Sequence, residues 1–217
     1  MTEQLARLGR RMFLSRATAV LLTSLIAVMA AAQEGEVDVE QAAGLIKETT
    51  ARLLKAVGAQ TGPVDVDRAF DLVAEYIEPH VDLERAARRI LGKHWRKATA
   101  DQRRRFVEQF RILLLRTYAV AIADNPSVDI EYLPARRTKR PGEAIVPTRI
   151  PQSSAPSLSI NYRLHGGKLG WKLFDVSIEG VSLVRTYRSS FAQRVKKSGI
   201  DALIEDMAKT NRRKTGA

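Results

Sequence analysis

The sequence predicts an α+β domain, with helices packed over one curved antiparallel sheet of about four strands. Three observations predict it. Between Asp38 and Asp124 apolar residues recur at steps of three and four, the period of helices with one buried face. Between Val128 and Ile178 the period falls to two, as in half-buried strands, and from Tyr187 onward it is helical again. Helices, then strands, then helices, without regular alternation, is the order of an α+β architecture, and no long Gly/Ser or Pro linker divides it.

Residues 1–32 read as a cleaved export signal outside the fold. Arg7, Arg10, Arg11 and Arg16 form a basic start, Ala17 to Met29 is an uncharged apolar run, and Ala30-Ala31-Ala32 supplies small residues for cleavage, leaving Gln33 first. Gly9-Arg10-Arg11-Met12-Phe13-Leu14-Ser15 resembles the twin-arginine signal, which exports folded chains. An ordinary secretory signal fits the same residues, and both routes end in a bacterial periplasm. Residues 33–210 then form one domain, and 211–217 a basic flexible tail.

The first helix runs from Asp38 through Val39, Ala42, Ala43, Ile46, Leu53 and Val57 to Gly58. Gly62-Pro63 turns the chain, and Asp65 or Asp67 caps a second helix carrying Phe70, Val73, Ala74 and Ile77. A third spans Asp82 to Leu91, with Gly92 past its end. Thr99 and Gln102 have capping-box spacing and open a long helix whose apolar face holds Phe106, Phe110, Leu114, Tyr118 and Ile122, ended by Asp124-Asn125-Pro126.

The first strand takes Val128, Ile130 and Tyr132, and the basic stretch 135–142 connects it to a second over Ala144 to Ile150, where Pro147 indicates an edge or bulge. Leu158, Ile160, Tyr162 and Leu164 alternate in a third strand. His165-Gly166-Gly167-Lys168 returns the chain into a fourth, Gly170 to Ile178, whose Trp171, Leu173, Phe174, Val176 and Ile178 mark the middle of the sheet. A glycine turn leads to Val181, Leu183 and Val184. Two closing helices follow, from about Tyr187 to Lys197 and from Ile200 to Lys209, parted by Ser198-Gly199.

With 36 basic against 24 acidic residues the chain carries +12, and it stays basic once the signal is removed. That balance suits an anionic membrane surface, lipid headgroup or acidic protein face, and export disfavours nucleic acid. There is no cysteine, so packing alone stabilises the fold and thiol catalysis is excluded. No Gly-rich phosphate loop and no HExxH metal motif occurs. His80, His94 and His165 lack a second ligand at metal spacing, so neither metal nor cofactor is expected. Among the carboxylates, Glu75 with Glu78 and Glu205 with Asp206 suit a solvated face. Asp175 and Glu179, in and just beyond an apolar strand, are the sharper candidates for a base. For Asp175 a structural role, pairing with an arginine or accepting backbone N–H groups at the strand end, fits better because no histidine stands nearby in sequence.

Tyr162-Arg163-Leu164, Gly170-Trp171-Lys172-Leu173-Phe174-Asp175-Val176, Glu179-Gly180-Val181-Ser182-Leu183-Val184, Tyr187-Arg188-Ser189-Ser190-Phe191 and Gly199 to Ile204 together resemble the signature of the MlaC family of periplasmic phospholipid-binding proteins, also described as toluene-tolerance auxiliary components of ABC transport systems. Leu91-Gly92, Trp95-Arg96, Thr99, Gln102, Arg105-Phe106, Phe110 and Tyr118 continue the resemblance over nearly all of the exported chain.

The resemblance implies an NTF2-like or cystatin-like fold with an apolar cavity between sheet and helices that takes acyl chains. It also implies a non-enzymatic shuttle between an outer-membrane lipoprotein complex and an inner-membrane ABC transporter with an MCE-domain subunit, supporting outer-membrane lipid asymmetry. A hopanoid is the alternative cargo. An NTF2-like enzyme using Asp175 and a purely structural adaptor with a basic face are the alternatives of other classes. Alternation selects Val146, Leu158, Ile160, Tyr162, Trp171, Leu173, Phe174, Val176, Ile178 and Val181 from the sheet as the lipid-binding wall, with Phe106, Phe110, Leu114, Tyr118 and Ile122 from the long helix.

Overall fold

Each of the first helices begins at an aspartate whose side chain accepts N–H groups that the helix leaves unpaired. Asp38 accepts from Glu40 at 2.9 Å and Gln41 at 3.4 Å and opens α1 (Val39–Gly58). Asp65, not Asp67, caps α2 (Val66–Tyr76) through Arg68 N–H at 2.7 Å. A 3-10 turn (Glu78–His80) with Pro79 in it follows, and Asp82 caps α3 (Leu83–Leu91) through Arg85 N–H at 2.8 Å. One short helix, α4 (Lys93–Lys97), was not expected from the sequence. The Thr99/Gln102 capping box forms in both directions and opens α5 (Ala100–Asp124).

The computed structural model describes residues 38–60, 64–125, 127–167 and 170–213. The export signal expected over 1–32, the Gly62-Pro63 turn, the stop at Pro126, Lys168 and the last four residues of the tail lie outside them.

Three long strands make the sheet: β3 (Glu143–Ile150), β4 (Leu158–Gly167) and β5 (Gly170–Ile178), all antiparallel. Two-residue pieces finish its edges. β1 (Glu131–Tyr132) and β2 (Arg136–Arg137) both pair with β3, and β6 (Val181–Ser182) pairs with the end of β5. The strand expected from Val128 is therefore shorter, and the basic connection contributes a short strand of its own. Pro147 explains the break between β1 and β2. Its carbonyl accepts Leu133 N–H at 3.0 Å on that side, but it has no N–H to return, so the ladder lapses over residues 133–135.

β5 carries a bulge. Arg163 pairs with Asp175 and Leu164 with Leu173, leaving Phe174 as the extra residue. The free edge of β5 is shared, with β6 on Ser177 and Ile178 and the Val81-Asp82 segment on Leu173 through an Asp82 N–H bond of 2.7 Å. Glu179 (φ 49°) and Gly180 (φ 77°) form the two-residue turn into β6, with the left-handed backbone at both positions that such hairpins require.

The last helix, α6 (Leu183–Arg213), starts four residues before the expected Tyr187 and breaks at Gly199 (φ 83°, ψ 171°), where the sequence placed the boundary. It reaches Arg213, and Asn211 is buried with its amide on the Gln109 carbonyl at 3.0 Å, so the start of the expected tail belongs to the helix. Among the described residues no helix is long and apolar enough to cross a membrane.

Among the described residues, two large apolar clusters hold the layers together. One joins α3, α4, α5 and the second half of α6 through Ile90, Leu91, Trp95, Phe106, Phe110, Leu203, Ile204 and Met207. The other joins α1, α2 and the far half of α5 through Leu53, Val57, Val64, Leu72 and Ala119. The space where they fail to close over the sheet is the cavity described next.

Candidate functional site

A cavity of about 240 Å³ lies between β5 and the helices. Thr50, Leu53 and Leu54 of α1, Val73 of α2 with Ile77 beyond it, and Leu83 and Ala86 of α3 form one side. Phe110, Leu114, Leu115, Tyr118 and Ile122 of α5 form another. The sheet contributes Tyr162 and four consecutive residues of β5, Leu173 to Val176. A regular strand presents only alternate side chains to one face, so the bulge at Phe174 is what lets a continuous run line the space.

The wall is almost wholly carbon, and its few polar groups are tied back into the protein. Asp175, buried on β5, accepts the Ser182 hydroxyl at 2.8 Å and Val184 N–H at 3.1 Å, while Ser182 in turn accepts Arg185 N–H at 3.1 Å. The pair caps α6, which explains its early start and gives Asp175 the structural role the sequence favoured. Thr50 and Tyr132 join hydroxyls at 2.6 Å, pinning α1 to β1. Arg111 holds Glu78 through two bonds of 2.6 and 2.8 Å, and both line the cavity while staying half-buried. The Tyr118 hydroxyl is sealed from solvent with no hydrogen-bond partner among the described residues.

Behind Phe174 lies a charged cluster. Glu143, 4% exposed, accepts from Arg89 at 2.5 Å, Arg163 at 3.1 Å and Arg85 at 3.2 Å. The same three guanidiniums stand 4.3 to 5.5 Å from the Phe174 ring centre. Burial pushes the Glu143 carboxyl up, but Arg89, Arg85 and Arg163 outweigh it and hold it below its ordinary value. Close by, His165 meets Asp82 at 2.7 Å.

The structure brings together Phe110, Leu114, Tyr118, Ile122, Tyr162, Leu173, Phe174 and Val176 at the cavity wall. Seven of the residues selected by alternation lie elsewhere. Phe106, 0% exposed, stacks on Phe110 at 6.0 Å within the solid cluster. Val146 is packed in the sheet at 1% exposure, and Trp171 is buried against Gly166. Leu158, Ile160 and Ile178 sit half-buried at the other end of the sheet, which is longer than the cavity. Val181 is 59% exposed in the β6 hairpin. The sequence reading missed the α1, α2 and α3 contributions, whose signal was the apolar faces of those helices. It also missed Val128 and Ile130, read as strand but lying in the stretch before β1 and lining the space.

Comparison with known proteins bears on this cavity. A family profile described as MlaC protein matches residues 47–209. The intermembrane phospholipid transport system binding protein MlaC of Haemophilus influenzae is 28% identical over 139 residues, covering 63% of this chain and 65% of that protein. The toluene tolerance protein ttg2D of Pseudomonas putida is 26% identical over 135 residues, covering 61% of each. The match thus spans a little under two thirds of the length of these curated relatives. A solved structure from Ralstonia solanacearum, a phospholipid-binding protein in complex with a phospholipid, superposes with a TM-score of 0.72 at 25% identity, covering 79% of this chain and 97% of that one.

Proposed function

The chain belongs to the MlaC family, and from that premise we propose that it is a phospholipid carrier which holds acyl chains in the cavity between β5 and the helices. The observation that carries the reading is the carbon wall of that cavity, in a fold shared with a protein solved around a phospholipid.

The energetics require such a wall. A two-tailed lipid has roughly 30 methylenes at about 0.8 kcal/mol each, so leaving a bilayer for water costs on the order of 24 kcal/mol. A dry cavity offsets that cost and makes exchange with a bilayer nearly neutral, so direction comes from the partners at each end. We place the carrier in the periplasm, between an outer-membrane lipoprotein complex and an inner-membrane ABC transporter with an MCE-domain subunit. The export-like first 32 residues and the basic charge of the chain support that placement. Binding and release form no covalent bond, and Asp175 is already committed to Ser182 and α6.

Organic extraction of the purified protein followed by mass spectrometry tests the reading. Phospholipid at near one molecule per chain is expected. Protein that yields no lipid and takes none up from vesicles overturns it.

A further inference from the structure

In the first half of α6, residues 183–198, no side chain is fully buried. Its inner stripe rests on the cavity and on α5: Leu183 and Val184 line the space, Tyr187 lies 5.4 Å from the Phe110 ring centre and Phe191 5.9 Å from that of Phe106. On the outer side Arg185, Arg188 and Lys196 stand at i, i+3 and i+11, spacings that set them in one row along the helix. All three are exposed, as is Lys197, and none of the four side chains makes an ion pair among the described residues. No acidic residue lies between Glu179 and Asp201. The Arg188 guanidinium lies against Gly92, the joint of α3 and α4, and α4 adds exposed Lys93, Arg96 and Lys97 with no acidic residue between Glu84 and Asp101. The carboxylates at the ends of these stretches are already engaged, Glu84 by Arg88, Asp201 by Arg105 and Glu179 by the Ser159 N–H.

We propose that this face, the first half of α6 together with α4, lies on an anionic phospholipid bilayer and brings the Leu183–Val184 section of the cavity wall to the lipid surface. Its purpose rests on the carrier reading, since a carrier must meet the bilayer that its cargo leaves or enters. A bilayer is fluid, so its phosphates come to cations at whatever spacing the helix sets, whereas an acidic protein must hold its carboxylates in register with them. Between the cations stand Thr186, Ser189 and Ser190, short side chains that leave room for headgroups. Cations outward and aliphatic and aromatic side chains inward is the pattern of a helix lying in the plane of a membrane surface. Here the inner stripe is already seated on the cavity and α5, so charge and not insertion supplies the attachment, and salt weakens it.

The test is flotation of the chain as exported, residues 33–217, because the apolar signal would bind vesicles by itself. The vesicles are phosphatidylcholine alone, or phosphatidylcholine with about a third phosphatidylglycerol. The native protein is expected to bind the anionic vesicles and not the neutral ones, and to leave them as salt rises from roughly 0.1 M to 1 M. Arg185→Gln, Arg188→Gln and Lys196→Gln combined should weaken that binding on the order of a hundredfold, at about fivefold for each cation lost. Lys47→Gln, Lys55→Gln and Arg149→Gln combined remove the same charge from exposed positions on α1 and β3, and should stay within about threefold of native. Arg185→Lys with Arg188→Lys should bind as the native chain does, which separates charge from any loss of fold. Equal binding to both kinds of vesicle overturns the assignment, as does no binding to the anionic ones or an equal loss in the two triple variants. Phospholipid co-purified with the native protein is measured separately, and its absence overturns the carrier reading while leaving the vesicle result standing.

Discussion

Arg111 and Glu78 meet side by side in the cavity wall, Nε to Oε1 at 2.6 Å and Nη2 to Oε2 at 2.8 Å, joining the middle of α5 to the turn that follows α2. Donating these hydrogen bonds to Glu78 raises the hold of Arg111 on its proton, and both side chains are about a quarter exposed. Parallel two-point contacts are the stronger kind of ion pair, while partial solvation limits their worth. A double-mutant cycle with Glu78→Gln and Arg111→Gln is expected to give a coupling of about 1 kcal/mol in urea unfolding. Coupling indistinguishable from zero would show that the bridge does not hold the wall.

Glu143 sets an acid limit on stability. Its folded value is depressed, so its contribution is complete above the ordinary value of 4.5 and is lost as pH falls through the lower folded value. Stability of the native chain is expected to drop as pH falls below about 4.5. Glu143→Gln should be less stable near neutrality by about 2 kcal/mol, since it strands three partly buried arginines, and should lose less on acidification. Denaturant midpoints measured from pH 7 to pH 3 check both, and parallel curves for the two proteins would refute the assignment.

Filling the cavity separates occupancy from folding. Leu114 lines the space from α5, and Leu114→Trp should lower co-purified phospholipid severalfold while the melting temperature stays within a few degrees of native. Unchanged lipid content in a folded Leu114→Trp protein would place the cargo elsewhere.

Asp175 acts through the start of α6. Asp175→Ala removes a charged cap and leaves the Ser182 hydroxyl without its acceptor, for an expected loss of about 2 kcal/mol. Circular dichroism melts measure it. A variant as stable as the native chain would return Asp175 to the list of candidate catalytic groups.

The elements were legible where local chemistry dictates them. The Thr99/Gln102 box, the break at Gly199 and the alternation of β4 each follow from residues adjacent in the chain. The site was half legible, because alternation says which face a side chain takes but not how far along the sheet the helices close down. Val146 and Val176 lie on the two strands that flank β4, each paired with Tyr162, yet only Val176 borders the empty space. Phe106 and Phe110 are one helical turn apart, and only Phe110 reaches it. The Phe174 bulge was also hidden, since it depends on how β4 and β5 register against each other. Glu143 went unremarked because its three arginine partners come from α3 and β4, remote in sequence.

Phe174 stands between the cavity and the arginine cluster, a wall to one and a cushion for the other. A change of cargo size therefore cannot be made at this position alone. Trimming the ring to admit a bulkier lipid also strips the aromatic face from three cations that share a single carboxylate. A lineage or a designer seeking a wider carrier has easier ground on α1 and α5, where the aliphatic side chains of Leu54, Leu114 and Ile122 line the space.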